Sequence, residues 1–527
     1  MSAPLLLICG LAAAVALAVV AKRLALPYPI VFVLAGTALA FVPGLPQVRI
    51  SPDWIFLSIL PPLLFSGGWS TDWMLFRSKL RPILMLAVGL VVVSTVAVAL
   101  LADRIIPGLG LAGAFVLGAI VSPPDAVAAA ATFERFSVPR TIITVLEGEG
   151  LVNDATALVL YAYAVAAVTT GVFSLPQAAG SFVLVALGGI AVGLAVAWII
   201  ERLSRALQKY ELTDSLIDNL TLIGAPYAAY LGGQAVHVSG VLATVVAGIA
   251  VSRRSSVIYG PETRLIGENV WTLWIFLLNA YVFLAIGLQL RALVRDGHHA
   301  LALLPAALAI SLLLIVVRLL WVFPMAWVPR LFARVRERET LPQASTVAVI
   351  GWTGMRGIVS LAAALAIPLT AENGARFPGR DDILFVTFVV IFVTLVGQGL
   401  SLIPLLRILR VREDRDVEQR ETNVRIAALQ AGLKRIREME QRHPDDEVKK
   451  TTLARLRDEY ENRIEHLGHH GSPAAETDQS RFDHHAQDEA LRAERRAIMR
   501  LRDRGQIPDE IFRKIQYDLD LAESRLF

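Results

Sequence analysis

The sequence predicts an all-α membrane protein that crosses the bilayer many times and ends in a charged helical tail. Hydrophobic residues make up 55% of the 527 residues, and the mean hydropathy is +0.57. Apolar runs of roughly 18–25 residues recur up to about Arg410, and a run of that length crosses a bilayer as a helix. Beyond that point charged residues become frequent. We therefore predict a membrane domain at residues 1–410 and a charged cytoplasmic C-terminal domain at residues 411–527.

The first apolar segment is predicted to stay in the protein as a membrane helix. Residues 3–21 have the small and apolar residues of a signal peptide, but Lys22 and Arg23 follow the apolar run instead of preceding it. A cleaved signal peptide has its positive charges before the apolar run. We therefore expect a retained first helix with its N-terminus outside.

Thirteen apolar segments form the predicted membrane spans. They lie at 3–21, 28–42, 53–68, 82–102, 109–132, 140–170, 178–200, 212–232, 237–252, 265–290, 300–329, 343–369 and 382–406. Basic residues are about three times as numerous in the odd-numbered connections, and cytoplasmic loops carry such an excess. Arg77 and Arg81 of the third connection contrast with Arg104 alone in the fourth. The alternation places the N-terminus outside and the tail in the cytoplasm.

The odd number of spans predicts two inverted six-helix repeats, because helices 1–6 and 8–13 then run in opposite directions with helix 7 as a linker. Helix 5 corresponds to helix 12 in this arrangement. Both contain helix breakers at mid-membrane, in "SPPDAVAAA" (122–130) and "GWTGMRGIVS" (351–360). Paired broken helices in the two halves indicate the binding site of a transporter.

Acidic residues in "EGEGLVNDATALV" (147–159) lie at the head of the sixth span. A carboxylate at Asp154 would be desolvated, and burial disfavours its charged form. Such a group can hold a proton or a small cation, one at a time. The Asn153 amide oxygen, Asp125 and backbone carbonyls freed by the prolines add oxygen ligands, which suit hard cations. We predict a site for a monovalent cation and a proton at Asp154, Asn153 and Asp125.

Two further buried charges are predicted to form a structural ion pair, since Glu149 and Arg318 both lie at mid-depth and pairing would neutralise them. Two interpretations of Arg356 stay open, positive charge beside the broken-helix ends or a purely structural role. Glu147 lies closer to the cytoplasmic end and either lines the site or is solvated. The residues that we expect to line the site are Ser66, Ser122, Pro124, Glu147 and Arg356.

Four motifs together resemble the sodium/hydrogen exchanger family of monovalent cation/proton antiporters, in its bacterial form. They are "LPPLLFSGG" (60–68), "SPPDAVAAA", "EGEGLVNDATALV" and "GMRGIVSLA" (354–362), in the family's order and spacing. The resemblance covers residues 1 to about 410. It implies a thirteen-helix fold with a dimerisation half and a moving core half, and it implies electroneutral exchange by a homodimer.

The family's functional residues fall on residues already singled out here. Its Asn-Asp pair falls on Asn153 and Asp154, its helix-5 aspartate on Asp125, and its ion pair between helices 6 and 11 on Glu149 and Arg318. The resemblance thus implies an antiporter that exchanges Na⁺ or Li⁺ for H⁺ across the cell membrane.

The sequence departs from some sodium-specific relatives at two positions. Those relatives carry a carboxylate at the position of Ser66 and a hydroxyl residue at the position of Gly150. Both would be cation ligands there. A K⁺/H⁺ antiporter of the same fold therefore stays open as an alternative.

Other classes of membrane protein fit the sequence less well. An intramembrane aspartyl protease needs a Gly-x-Gly-Asp setting, which "GEGLVND" does not provide, and no G-x-S-G serine site is present. A channel needs rings of pore-lining residues, whereas this chain offers one buried site. Cys9 is the only cysteine, and the histidines have no zinc-type spacing. We expect a transporter rather than an enzyme, with no cofactor and no nucleic-acid partner.

Overall fold

The computed structural model is built from helices throughout the part of the chain that it describes. This part comprises residues 3–43, 52–133, 138–171, 175–293, 297–328, 343–370, 376–409, 415–442 and 447–469, with residues 136 and 411 and short stretches between 489 and 519. The chain divides into two compact units, Met1–Glu413 and Asp414–Phe527.

The first unit contains helices over every apolar segment that the sequence analysis identified. The first seven are α1 (Ala3–Leu24), α2 (Tyr28–Ala40), α3 (52–70), α4 (Leu80–Ile105), α5 (Gly110–Phe133), α6 (Arg140–Thr170) and α7 (Leu175–Lys209). The next six are α8 (Ser215–Ala235), α9 (Gly240–Ile258), α10 (Pro261–Leu288), α11 (Gly297–Trp327), α12 (344–365) and α13 (Arg380–Ile408).

Eight helices in the described residues are long and apolar enough to cross a membrane: α4, α5, α6, α7, α9, α10, α11 and α13. The all-helical membrane fold predicted from the sequence is therefore confirmed. Others are shorter: α2 has 13 residues, and α12 consists of two halves of 9 and 8 residues. A full crossing needs about 20 residues, so the count of thirteen spans stays a prediction.

Both helices with predicted breaks are interrupted in the structure. Helix α5 consists of Gly110–Val121 and Ala126–Phe133, and α12 consists of Ala344–Trp352 and Ile358–Leu365. Pro123 and Pro124 lack an N–H and cannot continue the hydrogen-bond ladder of α5. The amide of Asp125 instead donates to the carbonyl of Met355 at 2.6 Å. The two interrupted segments therefore contact each other directly.

Glycines allow neighbouring helices to approach closely around these broken segments. A Cβ on Gly36 of α2 would overlap the Leu284 carbonyl of α10, and a Cβ on Gly248 of α9 would overlap the Phe65 carbonyl of α3. Small residues commonly bring membrane helices together in this way. Helix α2 thus packs closely against α10, and α3 packs closely against α9.

Three of the described helices contain a π-helical stretch: Ile55–Ile59 in α3, Met85–Leu90 in α4 and Val393–Gln398 in α13. A π-helical stretch widens the helix and leaves backbone groups available to other partners. The Met85 carbonyl accepts a hydrogen bond at 3.0 Å from the indole N–H of Trp321 in α11. The π-stretch of α4 is therefore joined to a neighbouring helix.

The second unit contains a hairpin of two charged helices, α14 (Arg415–Arg442) and α15 (Glu447–His469). Arg437 pairs with Glu461, and Arg457 pairs with Glu440, which fixes an antiparallel arrangement. The sequence predicts an amphipathic helix in "RIAALQAGLKRIREMEQR", and α14 contains it. The predicted break near 468–486 lies mostly outside the described residues.

Candidate functional site

A cavity of about 320 Å³ lies beside the breaks in α5 and α12. Helices α3, α5, α6, α10 and α12 all contribute to its wall. Three carboxylates line it, those of Asp125, Glu147 and Asp154. Two more of the predicted residues, Ser66 and Pro124, also line this cavity. Five of the eight residues predicted to form or line the site are therefore in the wall of one cavity, and Asn153, Ser122 and Arg356 are not.

Asp125 connects the second halves of the two broken helices. Its Oδ1 accepts a hydrogen bond from the Val127 amide at 2.9 Å, and its Oδ2 accepts one from the Ile358 amide at 3.2 Å. Both amides belong to the first turns of their helical segments, where the partial charge is positive and a carboxylate is stabilising. Gly357 is required beside it, because a Cβ there would overlap the Asp125 carboxylate.

Arg356 lies beside the C-terminal end of the first half of α5 and within the break of α12. The side chain is buried, its Nε donates to the Val121 carbonyl at 3.0 Å, and its Nη1 donates to the Gly354 carbonyl. Helix C-terminal ends carry a partial negative charge, which a cation stabilises. Of the two interpretations of Arg356, positive charge beside the broken-helix ends agrees with these contacts. Its own amide donates to Thr394 Oγ1 of the π-stretch in α13 at 3.1 Å.

Asn153 donates a hydrogen bond to a backbone carbonyl in the break of α5. Its Nδ2 donates to the Pro124 carbonyl at 2.7 Å. Its Oδ1 is fully buried and has no hydrogen-bond partner among the described residues. A buried amide oxygen normally has a partner. Asn153 is not in the cavity wall, but it leaves an unpartnered oxygen next to Asp154 and the break in α5.

Asp154 follows Asn153 on α6 and faces the same cavity as Asp125. It is 9% exposed and close enough to Asp125 for the two carboxylates to interact electrostatically. Within the part of the chain that the structure describes, Asp154 has neither a hydrogen bond nor an ion pair. Asp125, in contrast, accepts two backbone hydrogen bonds. The two carboxylates of the cavity therefore have different surroundings.

Glu149 and Arg318 form a buried two-pronged ion pair between α6 and α11. The two carboxylate oxygens accept hydrogen bonds from Arg318 Nη1 and Nη2 at 2.6 and 2.7 Å, and each side chain is 1% exposed. Arg318 Nε also donates to the Ile350 carbonyl of α12 at 3.2 Å. The pair thus holds α6, α11 and the first half of α12 together.

Ser122 and Arg356 are the predicted lining residues that are not in the cavity wall. Ser122 is the C-cap of the first half of α5 and has helical dihedral angles, so its hydroxyl donates back to the Gly118 carbonyl at 2.6 Å. It also accepts a hydrogen bond from Thr95 Oγ1 of α4 at 3.0 Å. Ser122 therefore packs α5 against α4 and does not line the cavity. Glu147 does line the cavity and is not fully buried.

Three polar lining residues were missed by the sequence analysis: Ser70 of α3, Ser360 of α12 and Asn279 of α10. Ser360 lies in "GMRGIVSLA", three residues after Gly357, and its hydroxyl is buried without a hydrogen-bond partner among the described residues. Asn279 lies within the apolar tenth span and also lines the cavity. The signal that could have found Ser360 and Asn279 is a polar residue within an apolar segment. Only the packing shows which of the many such residues face the cavity.

Several known proteins resemble this chain. An antiporter of Bacillus pumilus named for sodium, potassium, lithium and rubidium/H⁺ is 32% identical over 78% of this chain, but the alignment spans only 62% of that protein. An uncharacterised Na⁺/H⁺ exchanger of Mycobacterium tuberculosis is 33% identical over 99% of this chain and 96% of its own length. The solved structure of the sodium proton antiporter MjNhaP1 from Methanocaldococcus jannaschii aligns with a TM-score of 0.58. That alignment has 17% sequence identity and covers 76% of this chain and 97% of the other, so it supports the fold alone.

The family comparison covers almost all of the first unit. A sequence model described as "Sodium/hydrogen exchanger, transmembrane" matches residues 10–408. This match contains all four motifs from which the resemblance was inferred. The family consists of transporters, and the apolar helices agree with a multi-pass membrane protein. The chain belongs to the sodium/hydrogen exchanger family.

Proposed function

We propose that this protein is a secondary active antiporter that exchanges a monovalent cation, Na⁺ first and Li⁺ second, for H⁺ across the cell membrane. The observation that carries the proposal is the state of Asp154. Its carboxylate faces the cavity with no hydrogen bond or ion pair among the described residues. Two other carboxylates nearby, the half-buried Asp125 and the buried Glu149, are already hydrogen-bonded. Asp154 is the group most free to bind a proton or a cation.

The proposed ligands are oxygens, as a hard cation requires. Asp154 supplies the charge, the unpartnered Oδ1 of Asn153 supplies a neutral oxygen, and Asp125 lies close to both. One carboxylate holds either one proton or one cation, so the two ions compete for it. Because Asn153 does not titrate, one proton replaces one monovalent cation and the exchange is electroneutral.

The most specific claim of this proposal is the identity of the cation. The Bacillus pumilus relative is named for sodium, potassium, lithium and rubidium, which favours keeping a K⁺/H⁺ antiporter of the same fold as the alternative. Ser66 lines the cavity with a neutral hydroxyl. A carboxylate at that position would favour a small, strongly hydrated cation more than a hydroxyl does.

The proposed membrane arrangement follows the sequence analysis. We propose thirteen spans in two inverted repeats, an N-terminus outside, a cytoplasmic tail and a homodimer. The interrupted helices α5 and α12 support the repeat, since they are broken at corresponding positions and contact each other through Asp125 and Met355. The residues 1–410 then form the antiporter domain, and residues 411–527 form the cytoplasmic domain.

Everted membrane vesicles provide the test. A proton gradient is established and followed with a pH-sensitive dye, and Na⁺, Li⁺ or K⁺ is then added. We expect cation-dependent loss of the gradient, with the order of effectiveness identifying the preferred ion. An inserted, monodisperse protein that releases protons with none of the three cations would contradict the proposal. Cation flux that needs no counter-gradient of protons would indicate a channel instead.

A further inference from the structure

A second and larger cavity adjoins the one that contains Asp154. Its volume is about 990 Å³, and it reaches the connection between α9 and α10 at Tyr259 and Arg264. The positive-inside rule assigns this connection to the cytoplasm. The residues that line both cavities are Ser66, Ser70, Val127, Ala131, Ile275 and Asn279. An ion that moves from the larger cavity to Asp154 passes this shared boundary.

Asn279 is the most unusual residue of the boundary. Its Oδ1 is fully buried and has no hydrogen-bond partner among the described residues. Leaving a buried amide oxygen unpartnered is unfavourable, so the partner is expected to come from the cavity. Water and hydrated cations are the species that reach it there.

Two hydroxyls from α3 complete the polar side of the boundary. Ser70 donates to the Gly67 carbonyl at 3.2 Å, which leaves its oxygen lone pairs as acceptors. Ser66 lies one turn earlier on the same helix and lines both cavities. The remaining shared residues, Val127, Ala131 and Ile275, are apolar. A boundary of neutral oxygens and apolar groups, without a charged side chain, suits partial dehydration of a cation better than tight binding.

We propose that Asn279, with Ser66 and Ser70, forms a neutral oxygen subsite where the monovalent cation loses part of its hydration before it reaches Asp154. Asn279 is then a specificity-determining residue for the exchange, because cations differ in how readily they give up water. A neutral subsite binds no proton, so it affects the cation and leaves proton binding to Asp154. This inference rests on the proposed function.

The test compares Asn279→Ala and Asn279→Leu with the wild-type antiporter in everted vesicles. Both variants lack the amide oxygen, and Leu keeps the volume of the side chain. We expect the apparent KM for Na⁺ to rise about 5- to 10-fold, the effect of losing one neutral contact. The maximal rate should stay within about twofold, because the chemistry at Asp154 is unchanged. The ratio of the KM values for Li⁺, Na⁺ and K⁺ should also change.

The matched control is Asn269→Ala on the same helix. Asn269 lines only the larger cavity, is exposed, and its Nδ2 donates to the Leu265 carbonyl at 3.1 Å. The apparent KM of the Asn269→Ala variant for Na⁺ should equal that of the wild type. If the Asn279 variants do not fold, Ser66→Ala tests the same subsite from α3 and should raise the KM in the same way.

The outcomes separate this inference from the proposed function. Absence of exchange in the wild type would overturn the proposed function itself. An active wild type with unchanged KM values and unchanged ion preference in the Asn279 variants would overturn the subsite. A lower maximal rate at unchanged KM would overturn it too, because it indicates a structural role for Asn279.

Discussion

Separating Glu149 from Arg318 should strongly destabilise the protein, whereas neutralising both should not. The variants are Glu149→Gln, Arg318→Met and the double variant. Each side chain of the pair is 1% exposed, and two hydrogen bonds of 2.6 and 2.7 Å join them. A single variant leaves one buried charge without its partner. Breaking a buried pair in this way lowers the free energy of unfolding by about 3–5 kcal/mol.

The double variant removes both buried charges, and replacing a buried pair by uncharged groups is often close to neutral. One loss remains, since the Ile350 carbonyl also loses the hydrogen bond from Arg318 Nε. That loss amounts to about 1 kcal/mol. The two single effects sum to about 6–10 kcal/mol, so the expected coupling energy is at least about 4 kcal/mol.

A denaturant titration of the purified protein in detergent gives the free energies, and loss of monodispersity on heating gives a second measure of stability. The control is Arg254→Gln. Arg254 also contacts a carboxylate, Glu201, but it is 60% exposed and Glu201 keeps Arg205 as a partner. Arg254→Gln should change the free energy of unfolding by no more than about 1 kcal/mol. Stable single variants, or single effects that add up in the double variant, would refute the reasoning.

Three further predictions concern transport. Asp154→Asn should abolish cation-dependent proton release in vesicles and leave expression and thermal stability unchanged. The exposed control Asp103→Asn should keep transport, expression and stability. Retained activity of Asp154→Asn would contradict the role of Asp154. Raising the proton concentration should raise the apparent KM for the cation, because both ions compete for one carboxylate, so the acid limb of the pH profile should move to lower pH as cation concentration rises. An acid limb that stays fixed would indicate a separate proton carrier. Gly357→Ala should reduce transport and thermal stability, since its Cβ would overlap the Asp125 carboxylate, whereas Gly397→Ala, with no atom within 4 Å, should affect neither.

The helices and their breaks could be predicted from the sequence for local reasons. Long apolar runs determine where membrane helices form, and the Pro123-Pro124 pair cannot continue a helical ladder wherever it occurs. The ion pair of Glu149 with Arg318 followed from the cost of burying either charge alone. These inferences need only the local sequence and the low dielectric of the membrane.

The contacts around Asp125 could not be predicted in the same way. The sequence indicates an oxygen ligand near the break in α5, but the hydrogen bond to the Ile358 amide depends on how α5 and α12 cross. Ser122 differs for a similar reason, because its position as the C-cap of the first half directs its hydroxyl towards α4. Such contacts depend on packing between helices that are far apart in the sequence.

The π-helical stretches are another feature without a local signal. The stretch Val393–Gln398 consists of residues that would also form an ordinary helix. It nevertheless places Thr394, which donates to the Val390 carbonyl and accepts from the Arg356 amide. Such stretches are frequent near functional sites. Here the stretch accepts a hydrogen bond from the backbone of Arg356, whose side chain binds the end of the first half of α5.

Asp125 and Arg356 also explain why Asp154 is the better candidate for exchange. The Asp125 carboxylate binds the first turns of the second halves of α5 and α12. The Arg356 guanidinium binds the Val121 carbonyl at the end of the first half of α5 and the Gly354 carbonyl within the break of α12. A proton on Asp125 would weaken its two hydrogen bonds from backbone amides. Asp154 makes no such bonds among the described residues. We therefore propose Asp154, rather than Asp125, as the group that gains and loses the proton, because its protonation breaks no hydrogen bond between the two interrupted helices.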